Sequence, residues 1–172
     1  AWHKTCGRNV ITTNCSYKSG PKPNPENVIP LTIMNAINGK KIPLYGDGSN
    51  IRDWLYVMDH CEGIYKTMLK GKTGEVYNIG GNNEKTNKYI VNKICRILDD
   101  VFPVEKNKNM PKNMNSYSEL IENVKDRPGH DFRYSIDTSK IKEELNWEPA
   151  ETFESGILKT VNWYIENLDS FK

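Results

Sequence analysis

Asp126-Arg127-Pro128-Gly129-His130-Asp131-Phe132-Arg133-Tyr134 crowds two guanidiniums, an imidazole and two carboxylates around a Pro-Gly pair. Pro-Gly enforces a turn, and backbone N–H groups beside a glycine can approach an anion closely. Arg127, His130 and Arg133 would bring charge and donors to such a site. Asp126 and Asp131 could equally neutralise them inside a salt-bridged loop. The local sequence leaves both readings open. A second cationic candidate is Arg52 in Ile51-Arg-Asp-Trp-Leu-Tyr-Val57. Strand alternation puts Arg52, Trp54 and Tyr56 on one face, where the planar guanidinium can present its fork to a phosphate. Tyr89 and Lys93 form a third pattern, one helical turn apart, in which an ammonium can lower a phenol pKa for base catalysis. No glycine-rich strand-to-helix turn precedes them, and Gly46-Asp47-Gly48 lacks the third glycine, so the pair reads as surface residues of an amphipathic helix.

The elements that must position these groups alternate between strand and helix over 172 residues, which predicts an α/β fold. Residues 1–7 read as a helix end capped by Gly7, and Asn9–Cys15 as a β-branched strand. The proline-rich stretch 16–26 reads as loop, and 27–39 as a helix with Pro30 in its first turn. Residues 41–57 read as two short strands around Gly-Asp-Gly-Ser-Asn. Asp59 to Glu62 predicts a capping box ahead of a helix, and Gly74 to Gly81 a strand. Ile90, Ile94 and Leu98 form the apolar stripe of a longer helix. The Asn- and Lys-rich residues 106–115 read as a mobile loop, followed by a capped helix from Ser116 through Asn123. Asp137 is the expected N-cap of the next helix, and the last runs near Thr152–Leu168. No repeat interrupts this order.

A net charge of +2 is too small to argue for nucleic-acid or membrane-surface binding. No apolar run reaches membrane-spanning length, and four cysteines without a CxxC pair fit reduced thiols in the cytoplasm better than zinc or disulfides. The isolated histidines, His3, His60 and His130, suggest no metal site.

Five stretches in order, TNCS, IPLTIMNAINGKKIPLYGDGSNIRDWLYVMDHCEGIY, GEVYNIGGNNEKTN, DRPGHDFRYSID and FESGILKTVNWY, resemble the dTDP-glucose 4,6-dehydratases of the extended short-chain dehydrogenase/reductase superfamily. The resemblance covers nearly the whole chain. It implies the C-terminal half of an extended Rossmann-type dehydratase, with mixed short strands and helices. Residues 1–25 would end the Rossmann domain and cross over; 26–172 would be mainly the sugar-nucleotide-binding domain, with some segments returning to the Rossmann sheet. Ala1 would fall just past the family's Tyr-x-x-x-Lys helix, so Tyr89 and Lys93 do not occupy its catalytic position.

The family's NAD takes hydride from the sugar C4, water leaves across C5 and C6, and hydride returns to C6. The resemblance implies that Arg52, Asn87 and Arg127 meet the diphosphate, that His130 adjoins that contact, and that Pro43 and Tyr45 meet the nucleobase. It implies a dTDP-sugar ligand, no catalytic residue in these 172, and a homodimer for the complete enzyme. A remnant that binds without turnover, or a related epimerase or decarboxylase, are the alternatives. One segment departs from the pattern: the family's Ser-Asn-Asn-Tyr-Gly-Pro stands here as Ser16-Tyr17-Lys18-Ser19-Gly20-Pro21, and Asn27 replaces a lysine. In the family those asparagines meet sugar and cofactor.

Overall fold

A computed structural model describes residues 2–21 and 26–171; 22–25, the middle of the proline-rich stretch, lie outside the described residues with both terminal residues. In chain order the elements are α1 (Trp2–Cys6), β1 (Thr12–Cys15), β2 (Tyr17–Ser19), α2 (Val28–Ile37), β3 (Ile42–Tyr45), β4 (Ile51–Tyr56) and α3 (Val57–Lys70). They continue with β5 (Val76–Ile79), β6 (Glu84–Thr86), α4 (Asn87–Val101), β7 (Ile121–Val124), β8 (Arg133–Tyr134), α5 (Ser139–Leu145) and α6 (Phe153–Glu166).

Local chemistry accounts for most of these boundaries. Gly7 ends α1 at φ 62°, its N–H donating to His3 O. Pro30 sits in the first turn of α2, where its missing N–H removes no helical bond. Thr86 caps α4 by accepting from Tyr89 N. Ile90, Ile94 and Leu98 are fully buried, as their helical spacing requires, each contributing about 1.5–3 kcal/mol.

Among the described residues the strands form three sheets. β1 pairs in parallel with β5, and β3 in parallel with β7. The third is built on β4, whose first residues pair with antiparallel β6 and parallel β8, and whose last residues pair with parallel β2. Two cores result. The larger joins α2, α4 and α6 through Ile33, Ile94, Leu98 and Ile157. The smaller gathers Leu55, Tyr77, Ile79, Ile141, Leu145 and Trp147.

Several expectations change. β3 and β4 do not form a hairpin; each takes a distant parallel partner, a pairing that local turn residues do not encode. Residues 17–19, expected as loop, are β2 because β4 offers them a ladder. α3 starts at Val57, two residues before the expected box, and buried Asp59 instead accepts from Glu151 N across the fold. The Ser116–Glu119 capping box is present, but its helix stops at Leu120, and Ile121 onward joins β3 as β7. Asp137, the expected N-cap, lies one residue ahead of the actual N-cap Thr138 and accepts from Ser139 N. Residues 106–115 are tied down: Asn107 Nδ2 donates to Ala36 O and Tyr117 Oη, and Asn109 Nδ2 to Ile37 O.

Candidate functional site

β4 carries Arg52 into the interior. The residue is only 4% exposed, yet no carboxylate pairs with it among the described residues. Its Nη1 donates to Ile51 O (2.7 Å) and Phe132 O (3.4 Å), and its Nη2 to Asp131 O (2.8 Å). Carbonyl dipoles hold the guanidinium in place without neutralising it, and a buried charge left unneutralised favours an anion beside it. Two of its five donor hydrogens remain for a ligand.

That guanidinium opens on a cavity of about 670 Å³. Pro43, Tyr45, Arg52, Asn87, Arg127 and His130, the six residues expected at the site, all line it. They arrive from separate elements. Pro43 and Tyr45 are alternate residues of β3, sharing a face while Ile42 and Leu44 enter the core. Asn87 opens α4, and its Oδ1 is buried without a partner among the described residues. An acceptor in that state suits a ligand hydroxyl, while its amide N–H groups suit a phosphate oxygen.

Residues 126–134 form the opposite wall. His130 Nδ1 lies 2.7 Å from Asp126 Oδ1, and the ring holds the Asp126 carboxyl below the usual carboxylate range. Arg127 is exposed, with no ion pair to its guanidinium among the described residues. Arg133 turns elsewhere, into a bidentate pair with Glu84 (2.8 and 2.6 Å) that holds the Glu84 carboxyl down at about 2. The two local readings therefore coexist. Asp126 and Arg133 make the internal salt bridges, and Arg127 and His130 face the cavity. Asp131 helps through its backbone carbonyl, which binds Arg52, and not through its carboxylate.

Sequence reasoning passed over Val28, Leu31 and Thr32 of α2 and Trp54 of β4, which also line the cavity, as does Glu26. Helical and strand spacing could have put the first four on one wall with Pro43 and Arg52. Tyr17 lines it too, and with Asn27 also lines a neighbouring cavity of about 580 Å³ beside Ser16, Lys18 and Ser19. Tyr89 is remote from base chemistry: burial first, then Glu154, pushes its phenol pKa up, and the cation over its ring is Lys85.

The family model for GDP-mannose 4,6 dehydratase matches residues 1–160. The chain belongs to that family. A dTDP-glucose 4,6-dehydratase of Escherichia coli is 52% identical over 97% of this chain and 45% of its own length. One from Haemophilus influenzae is 50% identical over 99% and 49%. The chain thus spans about half the length of the curated relatives it matches. A crystal structure of the Bacillus anthracis dTDP-glucose 4,6-dehydratase in complex with NAD is 48% identical, with TM-score 0.82 over 98% of this chain and 48% of that one. A UDP-glucose 4-epimerase from Thermotoga maritima shares the fold at TM-score 0.77 and 23% identity. The α/β, Rossmann-like architecture of the family is therefore shown, and the Bacillus anthracis structure, like one of a dTDP-glucose 4,6-dehydratase from Streptomyces venezuelae, is in complex with NAD.

The residues present do not fit a whole NAD. A dinucleotide needs a strand–glycine turn–helix cradle. Here Gly80-Gly81 follows β5 but leads into β6, and a Cβ at either would strike Asp53 or the Trp54 backbone. Among the described residues, no cluster of His, Cys, Asp and Glu could hold a metal ion, and no helix is long and apolar enough to cross a membrane.

Proposed function

We propose that this chain is the C-terminal part of an NAD-dependent dTDP-glucose 4,6-dehydratase forming dTDP-4-keto-6-deoxyglucose, and that it holds the nucleoside diphosphate. The observation that carries this reading is buried Arg52, unneutralised by any described carboxylate, facing a cavity whose far wall supplies Arg127 and His130. Two guanidiniums from separate segments bind a diphosphate with directed, charge-assisted bonds. Tyr45, 43% exposed at the end of β3, offers its ring to a base, with Pro43 beside it. Clamping the unreactive nucleotide end orients the sugar for chemistry supplied by other residues. The dehydratase identities of 38–54%, against 22–24% for the epimerases, favour this substrate class.

On this reading β1, β5, α3 and α5, packed on the smaller core, are the segments that return to the Rossmann domain. The larger core is the sugar-nucleotide domain. The 172 residues alone bind without turnover, the complete enzyme is a homodimer, and four free thiols suit the cytoplasm. Calorimetry with dTDP tests the site. The chain should bind it, and Arg127→Glu should weaken binding about 10- to 100-fold with an unchanged circular dichroism spectrum. Unchanged affinity in that variant would return the loop to a purely structural role. NAD-dependent dehydration by these residues alone would refute the division of labour.

A further inference from the structure

Pro128-Gly129 turns the chain back on itself, with Gly129 at φ 70°, and brings His130 onto Asp126. Asp126 Oδ1 accepts twice there, from the Arg127 N–H (2.8 Å) and from His130 Nδ1 (2.7 Å). One carboxylate oxygen thus grips both residues that this wall offers to the cavity. The hydrogen bond from His130, ahead of the other causes, holds the Asp126 carboxyl below the usual range. Asp126 is therefore ionised at neutral pH and can only accept.

That contact sets what the imidazole shows a ligand. An acceptor-only partner keeps a proton on Nδ1. A neutral ring has no second proton, so its Nε2 carries a bare lone pair, and only the imidazolium donates from Nε2. Among the described residues no hydrogen bond occupies Nε2, and the ring lines the cavity that Arg52 and Arg127 share. An anion drawn to those guanidiniums brings phosphate oxygens, which accept. A lone pair facing such an oxygen repels it, whereas an N–H in the same place binds it with charge assistance. Asp126 supplies the negative charge that offsets the added proton. Among the described residues, the other charged or titratable groups around the cavity are Tyr17, Glu26, Tyr45, Arg52 and Arg127, and Asp131 adjoins His130 along the loop.

We propose that Asp126 is a positioning residue that makes His130 a phosphate donor through Nε2, so that the site takes up a proton as it binds a sugar-linked nucleoside diphosphate. The proton passes from solvent to Nε2. The imidazolium then donates to Asp126 through one nitrogen and to a phosphate oxygen through the other. This inference rests on the nucleoside-diphosphate reading above.

Calorimetry of the full chain with dTDP-glucose, repeated in buffers of different ionisation enthalpy, counts that proton. Both phosphates of this ligand are esterified at their outer ends and carry one charge each, so the ligand itself exchanges no proton near neutrality. The native chain should take up about one proton and lose roughly three- to tenfold in affinity between about pH 7 and 8. His130→Gln should abolish both effects. Asp126→Asn, whose amide N–H donates to Nδ1 and so lets the neutral ring present Nε2–H, should cut the uptake to less than about half. Binding without uptake by the native chain across that pH range would overturn the inference and leave the diphosphate site standing, with Nε2 accepting from a ligand hydroxyl. Uptake that persists in His130→Gln would overturn it by assigning the proton to another group of the lining. Unchanged uptake in Asp126→Asn would overturn the positioning role. Failure of the native chain to bind dTDP-glucose would overturn the reading on which the inference rests.

Discussion

Arg52 and Arg127 differ in what removing them should do, because one is buried and braced while the other is exposed. Arg127→Glu acts on the ligand alone. Arg52→Ala should abolish dTDP binding and also lower thermal stability, since the Ile51, Asp131 and Phe132 carbonyls lose their donors. Differential scanning calorimetry would separate the two effects. His60 belongs to this scale too. Burial first, and the Lys18 charge second, push its imidazole pKa below 6.5. The unfolded chain therefore takes up that proton before the folded one does, and stability rises as pH climbs through the window up to 6.5. His60→Gln should flatten the urea-unfolding profile within that window. It should leave the steeper acid loss, where carboxylates such as Glu84 titrate, in place. A profile with the same slope in both proteins would show that His60 carries no part of it.

At the scale of elements, the turns after α1 and α2 share a backbone conformation but not an environment. Gly7 and Gly39 both sit at φ 62°, where a side chain costs about 1 kcal/mol. A Cβ on Gly7 meets nothing within 4 Å, whereas one on Gly39 would collide with Asn109 O. Gly7→Ala should cost only the conformational penalty. Gly39→Ala should cost several-fold more, because it must also push away the loop that Asn107 and Asn109 pin to the end of α2. Asn107→Ala tests that pinning: losing a buried donor shared by Ala36 O and Tyr117 Oη should destabilise by roughly 1–3 kcal/mol. A change smaller than the error of a thermal melt would mean the loop contributes nothing. Composition alone marks 106–115 as polar and hence mobile, because it cannot show that two asparagines find buried carbonyls far away in the chain.

Over the whole molecule, one helix stands out for the apolar side chains it leaves open. α3 exposes Met58, Ile64, Tyr65, Met68 and Leu69, and the nearby two-stranded parallel sheet exposes Val76. Parallel sheets are ordinarily wider and covered on both faces, so these surfaces suit burial against another α/β layer. Taken alone, the chain should self-associate with rising concentration, and Met58→Lys with Met68→Lys should suppress this in light scattering. Persistence of the association in that double variant would move the sticky surface elsewhere.

Sequence by itself determined the helices and the strands β1, β3, β4 and β5, since helical stripes, caps and turn residues are local, and it named six residues that the fold gathers around one cavity. The ordered family motifs made that set legible where no single motif sufficed. Tertiary structure alone decided the pairings. β3 with β7, β4 with β2 and β8, and the capture of Arg52 by carbonyls about eighty residues away depend on which strands meet across the fold. It also resolved the residue 126–134 loop into its two roles, because which carboxylate reaches which cation is set by packing and not by spacing along the chain. Tyr17 shows the limit most directly. As a letter it is a departure from a pattern, and only the fold sets its ring against Trp54, Tyr134 and the Arg52 guanidinium and in the lining of both cavities.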